Sequence, residues 1–201
     1  RHKPSEYTEN TANLLKEMCD SAYDEEEFAT ILGGPEIGAE FSSLHFDHLL
    51  YTGSGNVGKL IMKAASENLV PVTLELGGKS PVIIGDGADL TTTAKRVMMG
   101  KTMNAGQICL APDYILVKDS KEQEFVNELK AATAEYYPDI KHNPDYTSII
   151  NQKHYDRING LVEDAKAKGA NVEEINPANE DFSQQEACLL YTSDAADDSG
   201  C

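Results

Sequence analysis

Cys109 is the side chain whose surroundings most favour nucleophilic chemistry. Residues 104–112 read Asn-Ala-Gly-Gln-Ile-Cys-Leu-Ala-Pro, a turn of mostly small residues between a predicted helix and a predicted strand. A thiolate is a strong nucleophile where neighbouring dipoles stabilise its charge. The alternative is a cysteine that only fills a small space in the core, the commoner role of a cytosolic cysteine. No histidine lies close to Cys109 in the sequence to act as its base.

Glu75 is a candidate general base. It lies between two leucines in an apolar predicted strand, and Gly77-Gly78 follows that strand. We expect Glu75 to be buried, because a carboxylate that loses hydration holds a proton more tightly and becomes a better base. The alternative is a glutamate on the solvent side of an edge strand. The paired glycines favour the first interpretation, since they leave space for a ligand to approach.

A glycine-rich turn connects a predicted strand to a predicted helix. Residues 53–58 read Gly-Ser-Gly-Asn-Val-Gly. In this context backbone N–H groups at the start of a helix bind a pyrophosphate, although a tight turn that only needs small residues has the same pattern. An acidic residue about 20 positions later commonly binds the ribose, and on this pattern Glu75 is the candidate.

Composition excludes several classes of function. The chain has 201 residues, 17 of them basic and 34 acidic, and a formal net charge of −17. Because this charge repels a phosphate backbone, we expect no nucleic-acid partner. No apolar stretch approaches the roughly 18 residues that a membrane span needs, so we expect no membrane partner. The four cysteines show neither metal-site spacing nor the density of a disulfide scaffold, which favours a cytoplasmic protein without a metal.

Helical and strand patterns alternate along the chain. We predict helices at Glu9–Ala22, 35–44, 89–104, 121–136 and 152–168, and a further helix that follows the glycine-rich turn and ends at about residue 68. We predict strands at 48–52, 71–76, 82–84, 114–117 and 171–175. This alternation is typical of an α/β fold with a parallel sheet, and Gly77-Gly78 is the predicted boundary between two packed units.

Three of these segments together resemble the signatures of the aldehyde dehydrogenase superfamily. Residues 74–81 (Leu-Glu-Leu-Gly-Gly-Lys-Ser-Pro) are similar to the glutamate signature of that family, and residues 104–109 are similar to its cysteine signature. The order of the two motifs and the 34 positions between Glu75 and Cys109 also agree. Residues 3–6 (Lys-Pro-Ser-Glu) are similar to the segment that holds the adenosine ribose. Residues 111–114 (Ala-Pro-Asp-Tyr) most resemble the branch that oxidises fatty and aromatic aldehydes, including coniferyl aldehyde.

The resemblance implies an enzyme that oxidises an aldehyde to a carboxylic acid with NAD, or alternatively NADP. Cys109 would attack the aldehyde, hydride would pass to the cofactor, and water activated by Glu75 would hydrolyse the resulting thioester. Glu75 therefore moves from ribose binding to catalysis. The ribose contacts pass to Lys3 and Glu6, and Glu6 favours NAD because a carboxylate repels a 2′-phosphate, a repulsion that Lys3 weakens.

The remaining cofactor residues lie in the glycine-rich turn and after Glu75. Gly53 and Gly58 match the outer glycines of the family pattern, whereas Gly55 is an additional glycine without an assigned role. Ser54 matches a position whose side chain commonly contacts a cofactor phosphate. Leu76 is assigned to the cofactor site as well.

The resemblance also implies a division of the chain. Residues 1–77 would be the C-terminal half of a Rossmann-like parallel NAD(P)-binding domain. Residues 78–187 would be the N-terminal part of an α/β catalytic domain, with Cys109 at the bottom of a cleft, facing Glu75. Residues 188–201 do not continue the preceding pattern and resemble a translated sequencing adapter, an artefact tail; the alternative is an acidic C-terminus.

Parts of the family's active site are expected outside this chain. They include a second oxyanion donor, an asparagine upstream of Lys3, and a later glutamate that binds the nicotinamide ribose. We therefore expect an isolated fragment that is inactive and poorly soluble, from a parent that is a homo-oligomer. Two alternatives remain open: a nucleotide-binding module without catalysis, and an acylating relative that transfers the thioester to coenzyme A. Glu75 argues against the latter, because such enzymes tend to lack it.

Overall fold

The computed structural model describes residues 1–182 and divides them into two compact units. The first unit is Arg1–Leu76, and the second contains the described residues from Gly77 onward. The predicted artefact tail, residues 188–201, lies outside the described residues. No helix within residues 1–182 is both long enough and apolar enough to cross a membrane.

The first unit is built around two parallel strands and the helix that connects them. Its elements are α1 (Glu9–Ala22), α2 (Pro35–Ser42), β1 (Leu49–Gly53), α3 (Gly55–Ser66) and β2 (Val72–Leu76). The strands pair in register from Leu49↔Val72 to Gly53↔Leu76. Because parallel neighbours need a crossover connection, α3 returns the chain across one face of the pair. Leu49, Ala65 and Val70 form the buried core beneath it.

The second unit repeats this arrangement and adds helices. Its elements are β3 (Ser80–Ile83), α4 (Leu90–Thr102), β4 (Pro112–Leu116), α5 (Glu122–Tyr136) and α6 (Gln152–Ala167). β3 and β4 are parallel, with a register shift between Ser80 and Pro81. The core lies between α4 and α5, where Ala94, Met98 and Phe125 are almost completely buried.

Short 3₁₀ turns complete the two units, at Glu6–Thr8, Met103–Gly106 and Asp119–Lys121. The second of these matters most for function, because it lies between the end of α4 and Cys109.

The alternation of helices and parallel strands that the sequence predicts is present, but one predicted strand is wrong. Residues 171–175 form no strand. Instead, the Lys130 ammonium group holds this segment through an ion pair with Glu173, and the Asn176 side chain accepts from the Glu180 backbone N–H at 2.9 Å. Within residues 1–182 no strand pairs with this segment, so its backbone lacks the neighbour that a strand requires.

Candidate active site

The Cys109 loop, residues 103–111, begins with left-handed backbone. Asn104 and Ala105 have φ angles of 51° and 53°, and Gly106 has a φ of 76°. For residues with a side chain this conformation costs free energy, and two such residues in succession are unusual. The reversal ends α4 at Thr102, two residues earlier than the sequence predicts. It turns the chain so that Cys109 lies between α4 and β4.

Cys109 itself is half-buried and forms no disulfide. A tight turn follows from the hydrogen bond that the Ala111 N–H donates to the Ile108 carbonyl at 2.9 Å. Within residues 1–182 the Cys109 backbone N–H donates no hydrogen bond. The loop therefore presents a partly accessible thiol next to an unused backbone donor, the combination that an attacked carbonyl needs.

Gly78 lies directly against this loop. A Cβ atom added at position 78 would be 3.0 Å from the Cys109 carbonyl oxygen, closer than side chains normally approach. Gly78 therefore packs here because it has no side chain. The paired glycines were expected to leave space for a ligand, whereas at Gly78 the space is occupied by the Cys109 backbone.

Gln107 is a buried residue of the loop to which the sequence analysis assigned no role. Its side-chain amide donates to the Asn104 carbonyl at 2.9 Å and to the Ser148 carbonyl at 3.2 Å. Its side-chain oxygen accepts from the Ile150 N–H at 2.9 Å. The carboxamide thus connects the Cys109 loop to a segment more than 40 residues later, a connection that sequence spacing does not reveal.

A buried lysine on α4 was also missed. Lys101 is 5% exposed. Burial lowers its pKa to about 8, the negative charge of Asp113 opposes this shift, and the positive charge of Lys79 adds to it. Lys79 and Asp113 form an ion pair at 3.6 Å. Residues immediately before β3, on α4 and in β4 therefore share one charge cluster.

Glu75 is exposed, and the prediction that it would be buried is wrong. The reason is the alternation of side chains along β2. Val72 and Leu74 face α3, with Leu74 3.5 Å from the place that a Cβ at Gly58 would occupy. Thr73 and Glu75 point to the opposite face, where Leu50 of β1 is 66% exposed.

The three glycines of the glycine-rich turn differ in the space that a side chain would have. A Cβ at Gly53 would overlap the Tyr51 hydroxyl, and one at Gly58 would lie 3.1 Å from the Leu76 side chain. A Cβ at Gly55 would meet nothing within 4 Å. Close packing thus requires glycine at the two positions that match the family pattern. Leu76 is exposed and lies beside Gly58, at the end of β2.

Ser54 is buried and caps α3. Its hydroxyl oxygen accepts from the Val57 N–H at 3.3 Å. Burial raises the pKa of the Tyr51 phenol, its hydrogen bonding with Ser54 opposes the rise, and the negative charge of Glu6 adds to it. The phenol is therefore influenced by two predicted cofactor residues, one in the turn and one near the N-terminus.

Lys3 and Glu6 form an ion pair at 3.5 Å. Glu6 lines an open pocket of about 390 Å³ together with polar, acidic and apolar residues: Pro4, Ser5, Glu9, Ala12, Asn13, Leu32 and Gly33. Lys3 lies outside this wall, against α2, where its Cε atom is 3.5 Å from a Cβ placed at Gly38. Carboxylate oxygens in an open pocket can accept hydrogen bonds from the hydroxyl groups of a sugar.

The acidic side chains that the structure describes do not form a metal site. Within residues 1–182 no group of three or more histidine, cysteine, aspartate or glutamate side chains is arranged to hold an ion.

Comparison with known proteins identifies the family. Residues 2–185 match the sequence profile described as "Aldehyde dehydrogenase family". The chain belongs to the aldehyde dehydrogenase family. The resemblance of its glutamate and cysteine motifs to that family is therefore confirmed.

Similar sequences include coniferyl aldehyde dehydrogenases. The probable coniferyl aldehyde dehydrogenase of Caulobacter vibrioides is 61% identical over 184 residues, which are 92% of this chain and 38% of that protein. The coniferyl aldehyde dehydrogenase of a Pseudomonas species is 54% identical over 90% of this chain and 37% of its own length. The chain thus spans less than two fifths of these relatives, and the predicted resemblance to their branch is confirmed.

Solved aldehyde dehydrogenase structures confirm the α/β fold class. A substrate-bound AldH from Staphylococcus aureus matches with a TM-score of 0.77 and 39% identity, over 91% of this chain and 42% of that one. Betaine aldehyde dehydrogenase from the same organism, solved in complex with NAD+, matches with a TM-score of 0.75 and 30% identity. That match covers 86% of this chain and 35% of the betaine enzyme.

Proposed function

We propose that this chain is the part of an NAD-dependent aldehyde dehydrogenase that supplies the nucleophile and the general base. The reaction oxidises an aldehyde to a carboxylic acid, with Cys109 as nucleophile and Glu75 as base. The observation that carries the proposal is the Cys109 loop: a half-buried thiol beside a backbone N–H with no partner within the described residues. A cysteine that only filled a core would need neither feature.

The chemistry begins at the sulfur of Cys109. The thiolate forms a bond to the aldehyde carbon, and the electron pair of the C=O bond moves to oxygen. The Cys109 N–H would donate to this oxyanion, since it is in the same residue as the attacking sulfur. Bound NAD+ supplies the acceptor for the hydride that leaves the same carbon, and a thioester on Cys109 remains.

Release of the acid requires water and a base. Glu75 takes a proton from a water molecule as the oxygen attacks the thioester carbon, the C–S bond breaks, and the Cys109 thiolate is restored. Glu75 is three residues before Gly78, and the Gly78 backbone packs against the Cys109 carbonyl. This connectivity supports the assignment. The exposure of Glu75 is compatible with it, because a hydrolytic base must reach water.

The first unit suits the cofactor. We assign the adenosine ribose to Glu6 and Lys3, because Glu6 lines the open pocket and its carboxylate matches a ribose diol. We assign the pyrophosphate to the start of α3, where Ser54 and the close-packed Gly53 and Gly58 bring the backbone near. The Tyr51 phenol hydrogen-bonds with Ser54 and is affected by the charge of Glu6, which supports one continuous site. Solved relatives with bound NAD+ favour NAD over NADP.

The two predicted domains then have separate tasks. Residues 1–77 would bind the cofactor, and residues 78–187 would carry the nucleophile. The coniferyl aldehyde dehydrogenases among the relatives favour an aromatic aldehyde as substrate. The parent protein is proposed to act in the cytoplasm as a homo-oligomer.

The test uses a complete enzyme. In a chimera, residues 2–185 replace the matching segment of the Caulobacter vibrioides relative, and NADH formation is followed with coniferyl aldehyde. Cys109→Ala should abolish NADH formation, while the control Cys19→Ala, at a buried cysteine of α1, should retain it. Glu75→Gln should form about one NADH per subunit, after which its rate should fall at least a hundredfold. The control Glu67→Gln, at an exposed glutamate, should keep the parental rate of NADH formation.

Several outcomes contradict the proposal. Full turnover in Cys109→Ala would remove the nucleophile assignment, and full turnover in Glu75→Gln would remove the base assignment. NADH formation that requires coenzyme A would replace hydrolysis by acyl transfer. A folded chimera that binds NAD+ without oxidising any aldehyde would favour the non-catalytic binding module.

A further inference from the structure

We infer that Gln107 is a positioning residue that fixes the Cys109 loop to residues 148–150. The inference rests on the proposed function, since it concerns how the proposed nucleophile is held. It adds a residue that neither touches the aldehyde nor reacts.

The geometry of the carboxamide carries the inference. Its nitrogen donates to two carbonyl oxygens, those of Asn104 and Ser148, and its oxygen accepts from the Ile150 N–H. The opposite orientation of the amide would place oxygen against two carbonyls and nitrogen against an N–H group. These three partners therefore define which atom is nitrogen and which is oxygen.

Burial makes these bonds important. Gln107 is only 8% exposed, so water cannot easily replace a lost partner. Removing the carboxamide would take away a hydrogen-bond partner from the Ser148 carbonyl and from the Ile150 N–H. A buried polar group that loses its partner lowers stability by more free energy than one hydrogen bond contributes.

The backbone of the Cys109 loop needs hydrogen bonds that hold its conformation. Asn104 and Ala105 both adopt left-handed backbone, which they would leave if nothing held them. Gln107 holds the Asn104 carbonyl through its side chain, and the Asn104 side chain donates to the Gln107 carbonyl at 3.3 Å. The two residues close a reciprocal pair on the helix side of the loop, and residues 148–150 hold the other side.

Only glutamine among the common side chains meets all these demands. Asparagine is one methylene shorter and cannot reach both segments from the same backbone. Glutamate has the right length but, when ionised, accepts only, so it would face the carbonyls of Asn104 and Ser148 with negative charge. Methionine has a similar length and no strong hydrogen-bonding group.

This arrangement has a consequence for Cys109, two residues later. If the loop relaxed, the thiol and the Cys109 N–H would no longer keep one orientation toward the aldehyde. A misplacement of about 1 Å lowers turnover by as much as 10²-fold while leaving substrate binding largely intact. The loss is therefore expected in kcat rather than in KM.

The experiment compares Gln107→Met and Gln107→Glu with the matched control Gln123→Met in the chimera. Gln123 is an exposed glutamine on α5, bonded to Asn127 at 3.3 Å. We expect Gln107→Met to lower kcat at least tenfold with less than a threefold change in KM for the aldehyde. We also expect faster hydrogen exchange at the Ile150 amide and slower alkylation of Cys109 by iodoacetamide. The control should change none of these.

Gln107→Glu gives a second, independent readout. Its activity loss relative to the parent chimera should become smaller as pH falls, because a protonated carboxyl regains one donor while keeping its acceptor. If Gln107→Met fails to fold, this pH-dependent recovery tests the same claim.

The failures are distinguishable. If kcat and Cys109 alkylation stay at parental values in Gln107→Met while only the melting temperature falls, Gln107 is structural and the inference is wrong. An unchanged exchange rate at Ile150 would also overturn it. If the parental chimera forms no NADH, the proposed function fails, and the alkylation and exchange results still decide whether Gln107 holds the loop.

Discussion

The backbone of Gly78 packs so tightly against the backbone of Cys109 that a Cβ at position 78 would lie 3.0 Å from the Cys109 carbonyl oxygen. The glutamate motif and the cysteine motif therefore meet within the second unit, through a glycine of one and the proposed nucleophile of the other. This contact explains why position 78 of the glutamate motif is glycine.

Substitution of Gly78 should displace Cys109. Because the neighbouring atom is backbone and not a flexible side chain, Gly78→Ala requires the loop to shift, which should cost about 1–3 kcal/mol of stability. We expect kcat of the chimera to fall at least tenfold. Gly85→Ala is the control, since a Cβ there meets nothing within 4 Å. Equal kcat values for the two variants would show that this contact does not position the nucleophile.

The glycines of the first unit should differ in their effect on cofactor binding. Gly55→Ala places a methyl group in open space at the start of α3, so NAD+ affinity should be unchanged and stability should not fall. Gly58→Ala should weaken NAD+ binding, because the new methyl group displaces the Leu76 side chain. Titration of the chimera with NAD+ measures both dissociation constants. A large loss in Gly55→Ala would mean that the additional glycine serves the cofactor directly.

Lys101 should make stability depend on pH in an unusual direction. Its folded-state pKa of about 8 is lower than the ordinary value of 10.5. Between these values the unfolded chain binds more protons than the folded chain, so the Lys101 contribution to stability rises as pH increases from about 8 to 10.5. At pH 7 the buried charge opposes folding.

Lys101→Met tests whether the charge of Lys101 opposes folding at pH 7. At pH 7 it should raise the free energy of unfolding, on the order of 1 kcal/mol after allowance for solvent screening, because an apolar group replaces a buried charge. The difference between the variant and the parent should shrink toward pH 10. Urea unfolding followed by circular dichroism at pH 7, 8.5 and 10 provides the values. If the difference in the free energy of unfolding between Lys101→Met and the parent grew with pH, the lowered pKa of Lys101 would be contradicted.

The sequence alone located much of this fold. Helix α1 was predicted with its observed bounds, Glu9–Ala22, because its apolar spacing is local information. The predicted end of α4 lies two residues beyond the observed end at Thr102. The reason is that the left-handed backbone of Asn104 depends on Gln107 and on its partners at 148–150. Hydrogen bonds over such separations leave no periodic signal in the sequence.

The candidate site, too, could be predicted from the sequence only in part. The types and spacing of Glu75 and Cys109 identified both residues, because short motifs contain their chemistry. The exposure of Glu75 and the burial of Lys101 were missed, since each depends on which face of an element is covered. Local sequence does not determine that coverage.

The isolated 201-residue chain should associate with itself and should form no NADH with an aldehyde. It spans 38% of its coniferyl aldehyde dehydrogenase relative, and large apolar side chains are exposed, among them Leu50, Leu60, Leu69, Ile83 and Leu110. Exposed apolar surface of this kind promotes association. Sedimentation of the chain at increasing concentration measures it, and Leu50→Lys with Leu60→Lys should reduce it. A monomer at high concentration, or steady NADH production, would contradict this expectation.

The central claim is that the Cys109 sulfur is transiently acylated and that Glu75 is needed to release the acid. The most direct measurement is intact-protein and peptide mass spectrometry of the Glu75→Gln chimera, quenched in acid after mixing with coniferyl aldehyde and NAD+. We expect an added acyl mass on the peptide that contains Cys109, stable at low pH and removed by hydroxylamine. An unmodified Cys109 peptide, in a sample that has formed one equivalent of NADH, would contradict the account.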